Sequence, residues 1–257
     1  MLSYYPKELQ ILHKEHILRE YLQYHILKYV FNSPYASKLR FIGGTALRIV
    51  YGNGRFSEDI DFDNDWTLTF EDFNNLAEYI KKSLELQGLN VYIRTIKKWA
   101  FHCNISFPEI LYNNALASIK TQTILIQIDT VSQWYSYQPA NHFLNKFDVQ
   151  ANILTVSPEL LLAQKLYTAF TRKRMKGRDF FDIVFLLWKT QKPDYWYLKQ
   201  KIWISNAQEL KTYLLQKNQW VDFIQLQKDV APFLFDPNNQ SVALFPQIIE
   251  QTEFKNE

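Results

Sequence analysis

The sequence predicts an α+β protein in two parts: a mixed sheet with flanking helices over residues 1–153, then an all-helical part over 154–257. Two observations carry this. Short runs of alternating apolar and polar residues, the mark of half-buried strands, are confined to the first part, and after Ser157 every apolar pattern is helical. The composition, 47% hydrophobic and 21% charged over 257 residues, is that of a globular chain long enough to bury a substantial core.

The elements follow in order. Residues 6–31 read as one long helix: Leu9, Leu12, His16, Leu22, Ile26 and Val30 recur near the helical period, and Asn32-Ser33-Pro34 stops it. Residues 40–42 form a short strand running into Gly43-Gly44, and 45–51 a short helix closed by Gly52-Asn53-Gly54. Residues 58–62 alternate as a strand, and 70–87 form a helix with Gly88 as its stop. Further strands are expected over 89–96, 100–107 and 123–130, with a loop or short helix over 109–120. Ser157-Pro158 is a helix start with Ser as N-cap and Pro at the first position. Later helices are expected over 178–188, 196–204, 206–217 and 221–233.

The chain has a formal net charge of +3, which selects no partner class. Its distribution is more telling. Lys165, Arg172, Lys173, Arg174, Lys176 and Arg178 fall in one stretch without an acid, which suggests contact with a phosphate-bearing ligand, nucleotide or RNA backbone. Cys103 is the only cysteine, so no disulfide forms within the chain; it is expected as a small core residue. No secretory leader pattern and no long apolar run appear, so a cytoplasmic setting away from membranes is expected. His13, His16 and His25 lack carboxylate or cysteine partners at metal spacing. Trp188, Trp196, Trp203 and Trp220 are expected as core or interface anchors rather than base-stacking platforms.

Glycine is scarce, six in all, yet four lie between residues 43 and 54. A Gly-Gly step between strand and helix exposes backbone N–H groups at a helix N-terminus, a cradle for phosphate. Just beyond, Asp59 and Asp61 stand two apart on the expected strand and share one face, with Ile60 and Phe62 turned to the core. Paired carboxylates repel unless a cation lies between them, and hard divalent ions, magnesium or manganese, are the natural occupants. Asp129, at the end of the apolar run 124–128, is placed to complete a two-metal site.

The string Gly43-Gly44-Thr45-Ala46-Leu47-Arg48, then Tyr51-Gly52, then Arg55-Phe56-Ser57-Glu58-Asp59-Ile60-Asp61-Phe62 closely resembles the AbiEii/AbiGii-type toxin family. So does Ser157-Pro158-Glu159 with Ala163, Lys165 and Leu166, followed by basic residues and Arg178-Asp179…Asp182. The resemblance spans roughly residues 40–190 and implies a nucleotidyltransferase-type fold shared with polymerase-β-like enzymes. It implies transfer of a nucleoside monophosphate from an NTP, with an RNA such as a tRNA 3′ end as acceptor and a cognate antitoxin as partner. On that reading Asp59 and Asp61 are catalytic and bind metal, with Asp129 as a third ligand. Gly43, Gly44, Thr45, Arg48, Ser57 and Arg178 hold the nucleotide phosphates. Lys165 reaches across a cleft to neutralise phosphate charge, and Asp182 serves as general base with Asp179 beside it. Two other readings fit the same residues: a nucleotidyltransferase acting on small molecules such as aminoglycosides, and a non-catalytic nucleotide- or partner-binding protein on the same fold.

Overall fold

The computed structural model describes residues 1–256. It comprises two compact units, Met1–Tyr51 with Phe56–Thr155, and Gly52–Arg55 with Val156–Glu257. The second unit thus includes a four-residue excursion from the middle of the first motif, which a contiguous division of the sequence does not anticipate.

In the first unit the N-terminal helix is broken in two, α1 (Lys7–Leu12) and α2 (Lys14–Phe31). The break falls at His13, whose backbone (φ −129°, ψ 32°) leaves the helical region and whose ring packs 5.3 Å from Phe56. Strand β1 (Leu39–Ile42) passes directly into α3 (Gly43–Tyr51), two residues earlier than expected. Then come β2 (Ile60–Asn64), α4 (Phe70–Glu85), β3 (Tyr92–Lys97), β4 (Phe101–Phe107), the short α5 (Ile110–Asn113), β5 (Ile124–Val131), β6 (Ala140–Lys146) and β7 (Val149–Thr155). Helix α4 begins with a capping box, Thr69 and Asp72 bonding each other's backbone N–H.

The seven strands form one mixed sheet in the order β3-β4-β5-β2-β1-β7-β6. Strand β2 lies antiparallel to β1 and parallel to β5. Along β5 the even-numbered residues are buried and the odd-numbered ones are half-buried or exposed, so one face of the sheet carries the core. Ile60 and Phe62 belong to that face, with Phe62 against Phe31 of α2 and Phe41 of β1. Cys103 is buried there too, and burial pushes its thiol up to about 12. It is a core residue, not a nucleophile.

The β6–β7 hairpin was not anticipated. Its strands pair from Lys146↔Val149 outward, leaving a two-residue turn, Phe147-Asp148, with φ of 56° and 61°. Both values are those of a type I′ hairpin turn, normally signalled by Asn-Gly or Asp-Gly. Here a buried Phe147, ringed by Tyr4, Tyr5, Tyr21 and Tyr24, holds the turn by packing instead.

The second unit is helical: α6 (Pro158–Thr171), α7 (Gly177–Lys189), α8 (Tyr195–Ile202), α9 (Ala207–Asn218), α10 (Phe223–Val230) and α11 (Phe245–Gln251), the last unforeseen. Ser157 caps α6 by accepting from the Leu160 N–H. Phe180, Phe223 and Phe245 meet at centroid distances of 5.1–5.3 Å and form the centre of its core. Gly177 serves this packing rather than a phosphate: a Cβ there would lie 1.9 Å from the Leu226 carbonyl oxygen. Among the described residues no helix is long and apolar enough to cross a membrane.

Candidate active site

The carboxylates of the first motif stand on adjacent strands. Asp61 of β2 pairs in parallel register with Asp129 of β5, so both side chains project from the same, less buried face of the sheet. Asp129 is not the strand's end, as expected, but an interior residue of β5. Asp59 is exposed and immediately precedes β2, whose start lies two residues later than the alternation suggested.

Asp129 is held from one side. His102, opposite it on β4, donates from Nδ1 to Asp129 Oδ1 at 2.6 Å, and Gln127 Nε2 donates to the same oxygen at 2.7 Å. Among the described residues Asp129 Oδ2 accepts no hydrogen bond, which orients the carboxylate with one oxygen available. Neither His102 nor Gln127 was singled out from sequence; the β4–β5 register that aligns them is a long-range fact.

Gly43 explains itself geometrically. Its φ is +78°, and a Cβ would fall 2.1 Å from Asp61 Oδ2. Only glycine lets the strand turn into α3 while the Asp61 carboxylate rests against the start of that helix. Thr45, fully buried, donates its hydroxyl to the Asp59 carbonyl oxygen, so its side chain is engaged in positioning the segment that carries Asp59. Gln23 of α2 donates to the carbonyls of Ser57 and Glu58 at 3.1 and 2.9 Å and steadies the same segment from the other side. The first 35 residues, which carry no recognisable motif, thus supply part of the support.

Arg48, expected at the phosphate cradle, is paired here with a buried carboxylate. Its Nε lies 2.8 Å from Glu20 Oε2, a carboxylate 2% exposed that also takes Lys146 Nζ at 3.0 Å. Burial acts to raise the Glu20 pKa, but Arg48 and Lys146 outweigh it and hold the group below its ordinary value. Arg48 is a buried counter-charge that fastens α3 to α2.

In the helical unit the second motif forms a closed ionic centre. Asp182, 0% exposed, accepts from Arg55 Nε at 2.7 Å and Nη2 at 2.6 Å, from Asn53 Nδ2 at 2.7 Å, and pairs with Lys165 Nζ at 2.8 Å. Asp179 pairs with Lys165 at 3.0 Å and Arg172 at 2.6 Å. For Lys165 burial acts to lower the pKa, yet Asp182 and Asp179 outweigh it and the ammonium is held above its ordinary value. For Asp179 burial acts to raise the pKa, and Lys165 with Arg172 reverses this.

The roles expected for Lys165 and Asp182 called for a phosphate-facing ammonium and a proton-accepting carboxylate, whereas the two groups here pair with each other and with buried partners. A general base needs an accessible lone pair, and every oxygen of Asp182 is engaged and shut from solvent. Lys165 is bound to two carboxylates rather than offered to phosphate. Arg178 lies with its guanidinium 4.7 Å from the Phe233 ring centroid, half-buried, while Lys173, Arg174 and Lys176 remain exposed.

The donor set on the sheet suits a hard divalent ion. Among the described residues no three His, Cys, Asp or Glu side chains converge into a ready cage. What exists is an open face: adjacent Asp61 and Asp129, one Asp129 oxygen available, and Asp59 exposed just ahead of β2. Magnesium commonly takes one or two protein carboxylates and completes its shell with water and substrate phosphates, so an open face fits it better than a closed cage.

Residues 25–236 match the sequence profile of a family described as the nucleotidyl transferase AbiEii toxin of type IV toxin–antitoxin systems. Two crystal structures from Helicobacter pylori are similar in fold. One is JHP933 (TM-score 0.58, 17% identity, covering 93% of this chain and 94% of that one). The other is a candidate nucleotidyltransferase (TM-score 0.58, 17% identity, covering 94% and 99%). No curated protein matches the sequence.

Proposed function

The chain belongs to the AbiEii nucleotidyl transferase toxin family, and from that membership we propose that it moves a nucleoside monophosphate from an NTP to an RNA acceptor. The enzyme class follows from the family; the acceptor, the metal and the individual roles are the proposal. The observation that carries it is the parallel register of Asp61 with Asp129, with Asp61 seated against the glycine that opens α3.

Asp59, Asp61 and the available oxygen of Asp129 would hold magnesium or manganese. Such an ion, when bound, neutralises charge on the transferring phosphoryl group and the departing pyrophosphate. The remaining work falls to the chain itself. Gly43 and Gly44 present backbone N–H groups and the positive end of α3 to the β- and γ-phosphates. Thr45 and Gln23 fix the backbone ahead of β2, so that Asp59 keeps its place while the triphosphate arrives. His102 and Gln127 hold Asp129 in one rotamer. The acceptor hydroxyl then attacks the α-phosphorus in line: its oxygen bonds to phosphorus as the bond from the α-phosphorus to the oxygen bridging to the β-phosphate breaks, pyrophosphate leaves with that oxygen, and the hydroxyl proton passes to solvent. The family pairs its toxins with antitoxins, and the proposal includes a cognate antitoxin and a cytoplasmic site of action, where NTPs and RNA are available.

Incubation with each α-labelled NTP, magnesium and total cellular RNA, against an Asp59→Ala/Asp61→Ala variant, tests this directly. Label on RNA with the wild type alone supports the proposal and names the nucleotide. Transfer to a small molecule in the absence of any RNA labelling would discard the RNA acceptor, and turnover that survives a chelator would discard the metal.

A further inference from the structure

All seven tryptophans of this chain are exposed, between 63% and 85%. Exposed indole is unusual for so large an apolar ring, and in the sheet unit two of them gather at one place. A cavity of about 340 Å³ opens at the C-terminal ends of β2 and β5, lined by Arg40, Asp63, Trp66, Trp134, Tyr135 and Tyr137. Its volume falls within the roughly 300–1,000 Å³ of small-ligand sites. Trp66 is 77% and Trp134 70% exposed, and the Tyr135 and Tyr137 rings stack at 6.2 Å with an interplanar angle of 26°.

The loop that presents these rings is built, not slack. Asp63, buried on β2, accepts from the Gln133 N–H at 2.8 Å and from the Tyr137 hydroxyl, pinning the loop at two points. Trp134 stands in the left-handed backbone region at φ 53°, a conformation that costs energy for a residue with a Cβ and that turns its ring outward. Four aromatic rings beside a guanidinium, with Asn64 and two serines at the rim, match a flat heterocycle with polar edges. They do not match a phosphate, because Asp63 and Asp65 also border the cavity.

Its position selects the occupant. Along β2 the order is Gly43 and Thr45 beside Asp59 and Asp61, then Asp63, then the cavity. Asp63 is two residues past Asp61 on the same face, roughly 7 Å along the strand. In-line displacement requires the attacking hydroxyl opposite the leaving pyrophosphate. With the β- and γ-phosphates at the α3 N-terminus, the attacking hydroxyl comes from the cavity side of the carboxylates. We propose that this cavity is a stacking site for the terminal base of a single-stranded RNA acceptor, held by Trp66 and Trp134. This inference rests on the transfer reaction proposed above.

Binding is read without turnover, by quenching of tryptophan fluorescence with short single-stranded RNA oligonucleotides and, separately, with each NTP. Oligonucleotide alone should quench, and Trp134→Ala or Trp66→Ala should weaken its binding roughly 5- to 150-fold, the range a lost base stack gives. Trp134→Phe should recover most of that loss, with thermal melts confirming that each variant is folded. In the transfer assay KM for RNA should rise while KM for NTP stays unchanged. Unaltered RNA affinity in both alanine variants would overturn the proposal, as would a rise in KM confined to the NTP. RNA that stacks here but is never labelled would defeat the transfer reading and leave the stacking site standing. Transfer at normal RNA KM in both variants would do the reverse.

Discussion

At the scale of single residues, the structure separates carboxylates left open to a ligand from those closed in buried ion pairs. Asp182 is the clearest case. Replacing it by Asn leaves Arg55 and Lys165 buried beside a neutral group, and removing one partner from a buried ion pair typically costs about 3–5 kcal/mol. Asp182→Asn is therefore expected to lower the denaturant midpoint strongly, with activity per folded molecule largely kept. A catalytic role would show the opposite, lost turnover at unchanged stability. Gly43→Ala brings a Cβ within 2.1 Å of Asp61 Oδ2 and strains a backbone at φ +78°. It is expected to cost transfer activity about a hundredfold, the scale of a 1 Å misplacement at a reacting centre, in a protein that circular dichroism still reports as folded. His102 acts through Asp129, and removing such an outer partner typically costs roughly 10- to 100-fold in metal affinity or activity. His102→Ala should weaken magnesium activation, and His102→Asn should restore part of it.

At the scale of elements, helix α2 carries the strongest pH dependence. His25 is buried with neither ring nitrogen hydrogen-bonded, and burial first, then Lys28, pushes its pKa below the ordinary value. His16 is shifted the same way, again chiefly by burial. The unfolded chain binds these protons more readily, so stability is full above about pH 6.5 and declines as pH falls from there toward the folded values. The buried carboxylates act later. Asp179 and Glu20 are held below their ordinary values, so their contribution is present above about pH 4–4.5 and is lost only as pH drops through the depressed values. Lys165 is raised, so its pairing persists to above its ordinary 10.5. Melting temperature should thus fall first as pH drops below about 6.5, and His25→Phe should flatten that limb while leaving the later, carboxylate limb in place.

At the scale of the whole molecule, the exposure of all seven tryptophans takes Trp188, Trp196, Trp203 and Trp220 out of the core and leaves the interface half of the expectation that they are core or interface anchors. The core is built from Phe, Leu, Ile and Tyr instead. Native fluorescence should accordingly lie close to that of indole in water, with a collisional quencher reaching nearly all of it and little red shift on unfolding. A blue-shifted native spectrum would mean that several of these rings are covered in solution, by a second copy or a partner. Exposed aromatics of this size are enriched at interfaces.

The elements nearest the first motif were legible because their signals are local. The run from Gly43 to Phe62 combines scarce glycine, carboxylates at period two and alternating core residues, and the strand–helix–strand it describes is present with shifts of two residues. The hairpin β6–β7 was illegible because its turn is held by the packing of Phe147 and not by turn residues. Sequence alone determined the fold class and the family, since strand periodicity and motif spacing are properties of neighbours in the chain; that Asp59 falls just before β2 while Asp61 lies beside Asp129 came from the fold. Tertiary structure alone decided which charges remain available. Arg48 meets Glu20, Arg55 meets Asp182, and His102 meets Asp129 across separations of 27 to 127 residues, and Lys165 meets Asp182 from the next helix. A charged side chain is taken by whatever opposite charge the fold brings to it, and that partner is not written in the residues beside it.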